Sequence, residues 1–182
     1  MKVTHSGNRD PLTGVATEAA LLRFAAEALD AATGGGPPVC FLQVDVDGLP
    51  GLRQEFGVAV SEAVLLGVAD CLQEGIRGLD LAGRVGDGFG ICMPELTAAQ
   101  ARAAAQRLRL RVLSQPVATA RGPMNVTVSV GVAVSDDAGS GVEWLAGRAR
   151  EARHVAQREG GDRVVTANWP AARPARDLPR RR

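Results

Sequence analysis

Aromatic side chains are scarce in this chain, and tyrosine is absent altogether. Phe and Trp together make up 3% of the residues, which excludes the rows of stacking platforms on which many proteins bind single-stranded nucleic acid. Charge of one sign is not in excess either, because 21 Lys and Arg face 20 Asp and Glu and the formal net charge is +1. No global field therefore draws the protein toward nucleic acid or anionic lipid, and a polyanionic ligand needs a local site.

Cysteine is also sparse, since Cys40, Cys71 and Cys92 form an odd-numbered set without the spacing of metal ligands. Cys40 and Cys92 lie inside apolar runs, so the cysteines are predicted to be buried, reduced thiols. The N-terminal sequence MKVTHSGNRDPLTG lacks the apolar stretch of a signal peptide, and no segment approaches the roughly 20 apolar residues of a membrane helix. These absences predict a cytoplasmic protein with neither a membrane nor a nucleic acid as partner.

The chain does contain enough apolar sequence for one globular domain. Of its 182 residues, 46% are hydrophobic and 23% are charged, which is typical of a domain with a core of ordinary size. We expect this domain to span residues 9–166, after an N-terminal tail at residues 1–8. Residues 167–182 are rich in Pro and Arg and cannot supply a core, so they are predicted to be a disordered tail.

The hydrophobic pattern switches repeatedly between the periods of helices and strands. Helices are predicted over residues 17–32, 52–74, 97–114 and 141–159, with Thr17 and Thr97 as N-caps. Strands are predicted over residues 39–46, 79–84, 89–93, 125–134 and 162–166. An Asp-Gly step between the second and third of these strands marks a hairpin. Hairpin and crossover connections then share one sheet, which predicts an α+β fold with helices flanking a mixed sheet.

Two carboxylates are placed where a metal could bind. Asp45 ends a buried strand, and Asp87 lies in the predicted hairpin. Mg²⁺ takes a few carboxylates and completes its shell with water or phosphate oxygens, so this pair could hold the metal of a nucleotide. The alternative is structural: Asp45 caps the following helix, and Asp87 is there because Asp-Gly favours a tight turn. Spacing alone leaves both interpretations open.

Glycines are clustered in the predicted hairpin, and arginines are clustered on the last predicted helix. Gly86, Gly88 and Gly90 crowd the hairpin, where glycine either lets backbone N–H groups approach a phosphate or simply makes the turn. A second cluster lies on the last predicted helix and is interpreted as a solvated basic face. Its members are Arg148, Arg150, Arg153 and Arg158.

Five collinear segments resemble the GGDEF domains of the diguanylate cyclase family. RDPLTG is similar to the family's DPLTGLxNR, and FLQVDVDGLPGLRQEFG to (L/I)DIDxFKxINDxYGH. AGRVGDGFGICMP is similar to ARYGGDEFxxLLP, with the signature GGDEF shortened by one residue to Gly-Asp-Gly-Phe. TVSVGVAV resembles TVSIGVA, and AREARHVAQREGGDRV resembles ADxALYxAKxxGRNRV. The resemblance runs from Arg9 to about Val165.

The resemblance implies a nucleotidyl-cyclase-like palm domain with a central mixed, mainly antiparallel sheet flanked by helices. Such domains join two GTP molecules into cyclic di-GMP, and each subunit of a dimer holds one GTP with Mg²⁺. Carried over by motif, Asp45 and Asp87 would be the catalytic metal carboxylates, and the backbone carbonyl of Val46 would be a further metal ligand. The positions that would bind nucleotide are Gly86, Gly88, Arg53 and Glu62.

Several of these positions depart from the family pattern. Arg53 replaces an Asn and Glu62 an Asp at guanine-binding positions, and Gly88 replaces the signature Glu. Pro50 and Gln157 replace lysines. Loss of two cationic phosphate contacts, at roughly 1.5–3 kcal/mol each, predicts a hundredfold or greater loss of affinity for GTP. The resemblance therefore implies impaired catalysis.

One motif outside the predicted active site is intact. Arg77 and Asp80 form an RxxD sequence, and Leu81 to Val85 separate it from Gly86, which matches the family's product-binding inhibitory site. Arg can bond guanine or phosphate in a bidentate manner, while Asp accepts from guanine N–H groups. The alternative is a surface salt bridge at the start of a strand.

These observations favour a degenerate GGDEF domain that acts as a regulatory or receptor module and binds cyclic di-GMP at Arg77 and Asp80. One alternative is an active diguanylate cyclase that uses Mg²⁺, Asp45 and Asp87. The other is a module that binds GTP or a protein partner without cyclising nucleotide. Cyclic di-GMP, GTP, a second copy of the chain and a protein partner are accordingly the expected partners.

Overall fold

The computed structural model describes residues 7–135 and 141–167, which form five helices and seven strands. The proposed tails thus lie almost entirely outside the described residues. The helices are α1 (Glu18–Ala32), α2 (Leu49–Phe56), α3 (Val58–Gly75), α4 (Ala98–Ser114) and α5 (Val142–Arg158). The strands are β1 (Val39–Val46), β2 (Leu81–Val85), β3 (Gly88–Pro94), β4 (Val117–Thr119), β5 (Gly122–Met124), β6 (Val128–Val134) and β7 (Val164–Thr166).

Five of the strands form one sheet in the order β2-β3-β1-β6-β7. Strand β1 lies at its centre and pairs antiparallel with β3 on one side and β6 on the other. Strands β2 and β3 are also antiparallel, whereas β6 and β7 are parallel. The predicted α+β architecture, with a mixed, mainly antiparallel sheet between helices, is confirmed.

Side chains of β1 alternate between two separate cores, as the period of a strand requires. Cys40, Leu42 and Val44 belong to a core that includes buried residues of α3 and α4. Val39 and Phe41 belong to a second core, which includes buried residues of α1 and α5. The odd-numbered positions of β1 therefore face α1 and α5, and the next odd position after Gln43 is Asp45.

Helix α5 lies very close to the sheet at Gly131 of β6. A β-carbon at this position would overlap the carbonyl oxygen of Ala149 and the amide nitrogen of Arg153, and it would lie 2.9 Å from the Cα atom of Arg153. Only glycine permits this approach of helix backbone to strand. The contact fixes the middle of α5 directly over the β1–β6 ladder.

The sequence predicted most elements to within a few residues, with two exceptions. The predicted helix over residues 52–74 is wrong as a single element, because the chain breaks at Gly57, whose φ is 87°, into α2 and α3. The β4–β5 hairpin was not predicted, because its three-residue strands are too short to show a period. The N-caps are confirmed: the side chain of Thr17 accepts from the amide of Ala20, and Thr97 forms a capping box with Gln100.

The cysteines are buried and free, as predicted. Burial raises the pKa of Cys40 to about 12 and that of Cys92 to about 12. Burial also raises the pKa of Cys71. Among the helices of the described residues, none combines the length and apolar character needed to cross a bilayer.

The segment before α1 is held by a side-chain cap at Asp10. Its Oδ1 atom accepts from the amide of Thr13 at 2.9 Å and from the Thr13 hydroxyl at 2.6 Å. Partial burial acts to raise the pKa of Asp10, but these hydrogen bonds, together with the charge of Arg84, outweigh it and lower the pKa below 3.8. The cap orients the segment that reaches Ala16, whose carbonyl accepts from the amide of Arg84 in β2.

We expect Asp10→Ala to lower the free energy of unfolding by about 1–2 kcal/mol at pH 7, because two hydrogen bonds to a carboxylate are lost. The folded-state pKa lies below the unfolded one, so this contribution is complete above the ordinary value of 3.8 and is lost as the pH falls through the lower folded-state value. Urea denaturation from pH 7 to pH 3 should therefore show the difference shrinking. Asp10→Asn keeps a neutral acceptor and should lose less stability than Asp10→Ala at pH 7. A deficit of Asp10→Ala against the unmodified protein that does not shrink between pH 7 and pH 3 would contradict the argument.

Candidate functional site

Asp45 lies at the end of β1 and faces α5, where its carboxylate is already engaged. Its Oδ2 atom accepts a hydrogen bond in an ion pair from Nη1 of Arg153. The Nε2 atom of Gln157, one turn further along α5, donates to the same oxygen at 3.3 Å. Burial raises the pKa of Asp45, and the charge of Arg153 and the bond from Gln157 oppose that rise. The predicted first metal carboxylate is thus paired with a cation of the protein.

The other oxygen of Asp45 lies against Gly88, the first residue of β3. A β-carbon at position 88 would overlap Oδ1 of Asp45 and lie 2.5 Å from the carbonyl oxygen of Val44. Gly88 is buried, and the position pairs with Val85 across the hairpin. Position 88, which the resemblance aligns with the signature Glu, is therefore closed to any side chain in this arrangement.

Asp87 lies in the two-residue turn of the β2–β3 hairpin, together with Gly86, whose φ is 56°. The predicted hairpin is confirmed. Nη1 and Nη2 of Arg53 donate to the two carboxylate oxygens of Asp87, each at 3.4 Å. Arg84 contributes a third contact at 3.5 Å, while its Nε atom donates to the Gly86 carbonyl at 2.7 Å. Asp87 is exposed, and two guanidinium groups surround it.

The remaining predicted nucleotide and metal positions lie around this end of β1. Val46 is buried and pairs with Val128 in the β1–β6 ladder. Arg53, on α2, also donates through Nε to the hydroxyl of Ser61 at 3.4 Å. Glu62 is exposed on α3. The predicted nucleotide-binding role of these residues stays a prediction.

The interpretation of Arg153 as part of a solvated face is wrong. Its side chain is only 11% exposed and points inward to Asp45. A signal was available in the sequence, because Leu145, Ala149, Arg153 and Gln157 recur every four residues, and the first two are buried. The inward row of α5 thus changes from apolar to polar where it reaches the end of β1.

Asp47, two residues beyond Asp45, has a structural role. Its Oδ1 accepts from the hydroxyl of Ser129 at 2.6 Å, and its Oδ2 accepts from the hydroxyl of Thr127 at 2.7 Å and the amide of Asp162 at 2.9 Å. These bonds join the end of β1 to β6 and to the turn before β7. Asp47 positions the backbone on which Asp45 stands.

This arrangement does not fit a magnesium ion. Mg²⁺ requires near-octahedral oxygen ligands at about 2.0–2.1 Å. One oxygen of Asp45 carries two hydrogen bonds and the other faces Gly88, while both oxygens of Asp87 face Arg53. Within residues 7–135 and 141–167, no group of three or more His, Cys, Asp or Glu side chains is placed to hold a metal ion.

Arg77 and Asp80 form a second polar group at the start of β2. The Nη2 atom of Arg77 lies 2.7 Å from Oδ1 of Asp80, and Nε lies 3.2 Å from both oxygens. The amide of Arg77 donates to Oδ2 at 2.9 Å, and Nη2 also donates to the carbonyl of Pro94 at 2.8 Å. The Asp80 side chain is 2% exposed, whereas that of Arg77 is 39% exposed. A buried carboxylate thus holds an exposed guanidinium in a fixed orientation.

Arg77 and Asp80 line two cavities. One, of about 580 Å³, lies between the N-terminal segment, α1 and the start of β2, and Arg9 and Arg23 also line it. The other, of about 240 Å³, lies against α4 and is lined also by Arg107. Arg9, Arg23 and Glu27 thus share one cavity with the Arg77–Asp80 pair, and Arg107 shares the other.

Comparison with known proteins places this geometry in a family context. The family model described as diguanylate cyclase, GGDEF domain, matches residues 7–163. The response regulator PleD of Caulobacter vibrioides is 33% identical over 159 residues, an alignment that covers 86% of this chain and 35% of PleD. The probable diguanylate cyclase DgcT of Escherichia coli is 27% identical over 169 residues, covering 91% and 37%. The chain thus spans about a third of the length of these curated relatives.

Solved structures agree on the fold. The GGDEF domain of DgcB from Caulobacter crescentus, solved in complex with c-di-GMP, superposes with a TM-score of 0.85 at 24% identity and covers 93% of this chain and 98% of that domain. Diguanylate cyclase SiaD from Pseudomonas aeruginosa, solved in complex with its activator SiaC, gives a TM-score of 0.82 at 28% identity, covering 87% and 61%.

We expect Gly88→Ala to lower the free energy of unfolding by about 1–3 kcal/mol, because the new methyl group overlaps Asp45 and the Val44 carbonyl. The matched control is Gly51→Ala in α2, where a β-carbon meets nothing within 4 Å and the change should be neutral or stabilising by up to about 1 kcal/mol. Thermal and urea unfolding of both variants measure this. Equal stabilities would show that the hairpin shifts freely away from Asp45.

Proposed function

The chain belongs to the diguanylate cyclase GGDEF domain family, and from that premise we propose that it is a catalytically impaired member that binds cyclic di-GMP at Arg77 and Asp80. The domain then acts as a receptor or regulatory module in cyclic di-GMP signalling. The observation that carries this proposal is the pre-oriented Arg77 guanidinium, held by a buried carboxylate while more than a third of its side chain stays exposed.

The chemistry of this pair suits a guanine nucleotide. Cyclic di-GMP offers phosphate oxygens and the acceptor edge of guanine to a guanidinium, and guanine N–H groups to a carboxylate. Because Asp80 already fixes Arg77, little side-chain entropy is lost when a ligand binds. Hydrogen bonding to Asp80 also raises the pKa of Arg77, which favours the charged form of a side chain that is already a cation at physiological pH.

The surroundings supply both space and further positive charge. Arg9 and Arg23 line the same cavity of about 580 Å³ as Arg77. Cavities of this size accommodate ordinary small-molecule ligands. Glu27 and Asp80 line the same cavity, so its three arginines and two carboxylates leave a formal charge of +1, which favours an anionic ligand.

Impaired catalysis is supported by the state of the two family carboxylates. Asp45 is paired with Arg153, and Asp87 with Arg53 and Arg84, so neither offers a free pair of oxygens. Gln157, at the position of a family lysine, donates to Asp45 instead of facing outward. These contacts favour a receptor over an active cyclase.

The domain is also expected to act together with another chain. The chain matches about a third of the length of PleD and of DgcT, so the activity of each of these relatives is that of a larger protein. SiaD was solved with an activator protein, SiaC. We infer that a protein partner or a second copy of this domain receives the signal when cyclic di-GMP binds.

Isothermal titration calorimetry with cyclic di-GMP tests the proposed site. Arg77→Ala should weaken binding by roughly 10- to 150-fold, because charge-assisted bonds worth about 1.5–3 kcal/mol are lost. Arg77→Lys keeps the charge beside Asp80 but loses the planar fork, and it should also bind more weakly. Arg121→Ala, at an exposed arginine on the β4–β5 turn, is the control and should bind like the unmodified protein.

Two outcomes would contradict this function. Cyclic di-GMP binding that survives Arg77→Ala would place the ligand elsewhere on the domain. Chromatographic detection of cyclic di-GMP after incubation with GTP and Mg²⁺ would return the protein to the active cyclases. Thermal unfolding of each variant without ligand confirms that the fold is intact.

A further inference from the structure

Asp45 and Arg153 form a closed ionic contact at the position where the family resemblance implies a metal. The two residues lie 108 positions apart in sequence, and α5 brings them together. Their side chains are 24% and 11% exposed, respectively, so water screens the pair only partly. A carboxylate in this environment needs a counter-charge, and the protein supplies one covalently.

Arg153 cannot easily withdraw to admit a metal ion. The backbone of α5 rests on Gly131, with Ala149 and Arg153 as its contacts, so the helix is fixed at this level. Gln157 and His154 flank the guanidinium: Gln157 accepts from Nη1 at 3.1 Å, and the Nε2 atom of His154 lies 3.1 Å from Nη2. Moving the guanidinium away from Asp45 would break these contacts and leave the half-buried carboxylate of Asp45 without its counter-charge.

The side of Asp45 that faces the hairpin is closed as well. Oδ1 would be overlapped by a β-carbon at position 88, so β3 packs against this oxygen and limits access to it from the hairpin. Asp87, the other family carboxylate, lies in the hairpin turn and forms ion pairs with Arg53 at 3.4 Å and Arg84 at 3.5 Å, while its side chain stays 64% exposed. Arg153, Arg53 and Arg84 thus pair with the carboxylates of Asp45 and Asp87. A divalent cation would add positive charge where three guanidinium groups already face two carboxylates.

We propose that Arg153 is a built-in counter-cation that replaces the divalent metal at Asp45, so that this end of the sheet is a metal-independent ionic site. The inference concerns a different part of the domain from the Arg77 site and stands or falls separately from ligand binding there. It predicts that the native protein takes up no divalent cation through Asp45. It also predicts that a variant without Arg153 is stabilised by a divalent cation bound at Asp45.

Mn²⁺ is the probe for the first expectation, because free and bound Mn²⁺ are distinguished by electron paramagnetic resonance. Titration of the unmodified protein and of Asp45→Asn should give the same signal, since Asp45 is not a ligand in either. Bound Mn²⁺ in the unmodified protein that disappears in Asp45→Asn would overturn the proposal. This comparison does not depend on whether any Arg153 variant folds.

Arg153→Leu tests the second expectation. This variant leaves Asp45 without its counter-ion and should unfold at a lower temperature than the unmodified protein. Free Mn²⁺ at ten times its dissociation constant for the Arg153→Leu variant should raise the unfolding midpoint of this variant by about 3–6 °C. The same Mn²⁺ concentration should leave the midpoint of the unmodified protein unchanged. The double variant Arg153→Leu, Asp45→Asn should lose the response.

Arg153→Gln, a polar substitution that still reaches toward Asp45, serves in parallel where Arg153→Leu does not fold. Its midpoint should also rise with Mn²⁺, by an amount that Asp45→Asn abolishes. An equal response of the unmodified protein and both Arg153 variants would show that the guanidinium does not compete with a metal, and would overturn the proposal.

Discussion

Close contact between the backbone of α5 and Gly131 is the constraint on which the rest of the polar architecture depends. Because β6 has no side chain at this point, the helix lies directly on the strand, and its inward positions reach further along the sheet than a helix held off by a β-carbon could. Leu145 and Ala149 fill the core, and Arg153 and Gln157 continue the same row to the end of β1. The positions of Arg153 and Gln157 beside Asp45 follow from that approach.

Two of the arginine–aspartate pairs in the domain differ in which partner is exposed. At the start of β2 the carboxylate of Asp80 is buried and the guanidinium of Arg77 is exposed, so the cation faces solvent with spare donor capacity. At the end of β1 the guanidinium of Arg153 is the more buried partner, and it contacts Asp45, Gln157 and His154. The same two residue types thus give an open pair suited to a ligand and a closed pair suited to structure.

Much of the fold was predictable, and the reasons are local. The bounds of β1 were predicted to the residue, because an apolar run broken only by Gln43 and Asp45 marks the strand. The caps at Thr17 and Thr97 also have local signals. The Asp-Gly step correctly indicated the β2–β3 hairpin. The break at Gly57 was missed because apolar residues keep a helical spacing across it, although its positive φ ends one helix and begins another. The family resemblance added the prediction that these elements assemble into a mixed, mainly antiparallel sheet flanked by helices.

The site was less predictable, because its contacts join distant parts of the chain. Asp45 and Asp87 were identified as the key carboxylates, but their partners could not be read from spacing, since Arg153 and Arg53 approach from separate helices. A helical wheel of α5 contains a hint, in that an arginine continues an apolar row. That pattern indicates an inward cation without identifying which carboxylate it meets.

Burial of the three thiols has a practical consequence for anyone who labels this protein. Cys40 and Cys92 sit at the sheet with pKa values of about 12, and Cys71 is enclosed on α3, so the folded chain presents no thiolate to an alkylating reagent near neutral pH. A cysteine introduced at an exposed position would be modified selectively without first removing the natural ones. Fluorophores or spin labels can therefore be attached while both cores keep their original packing.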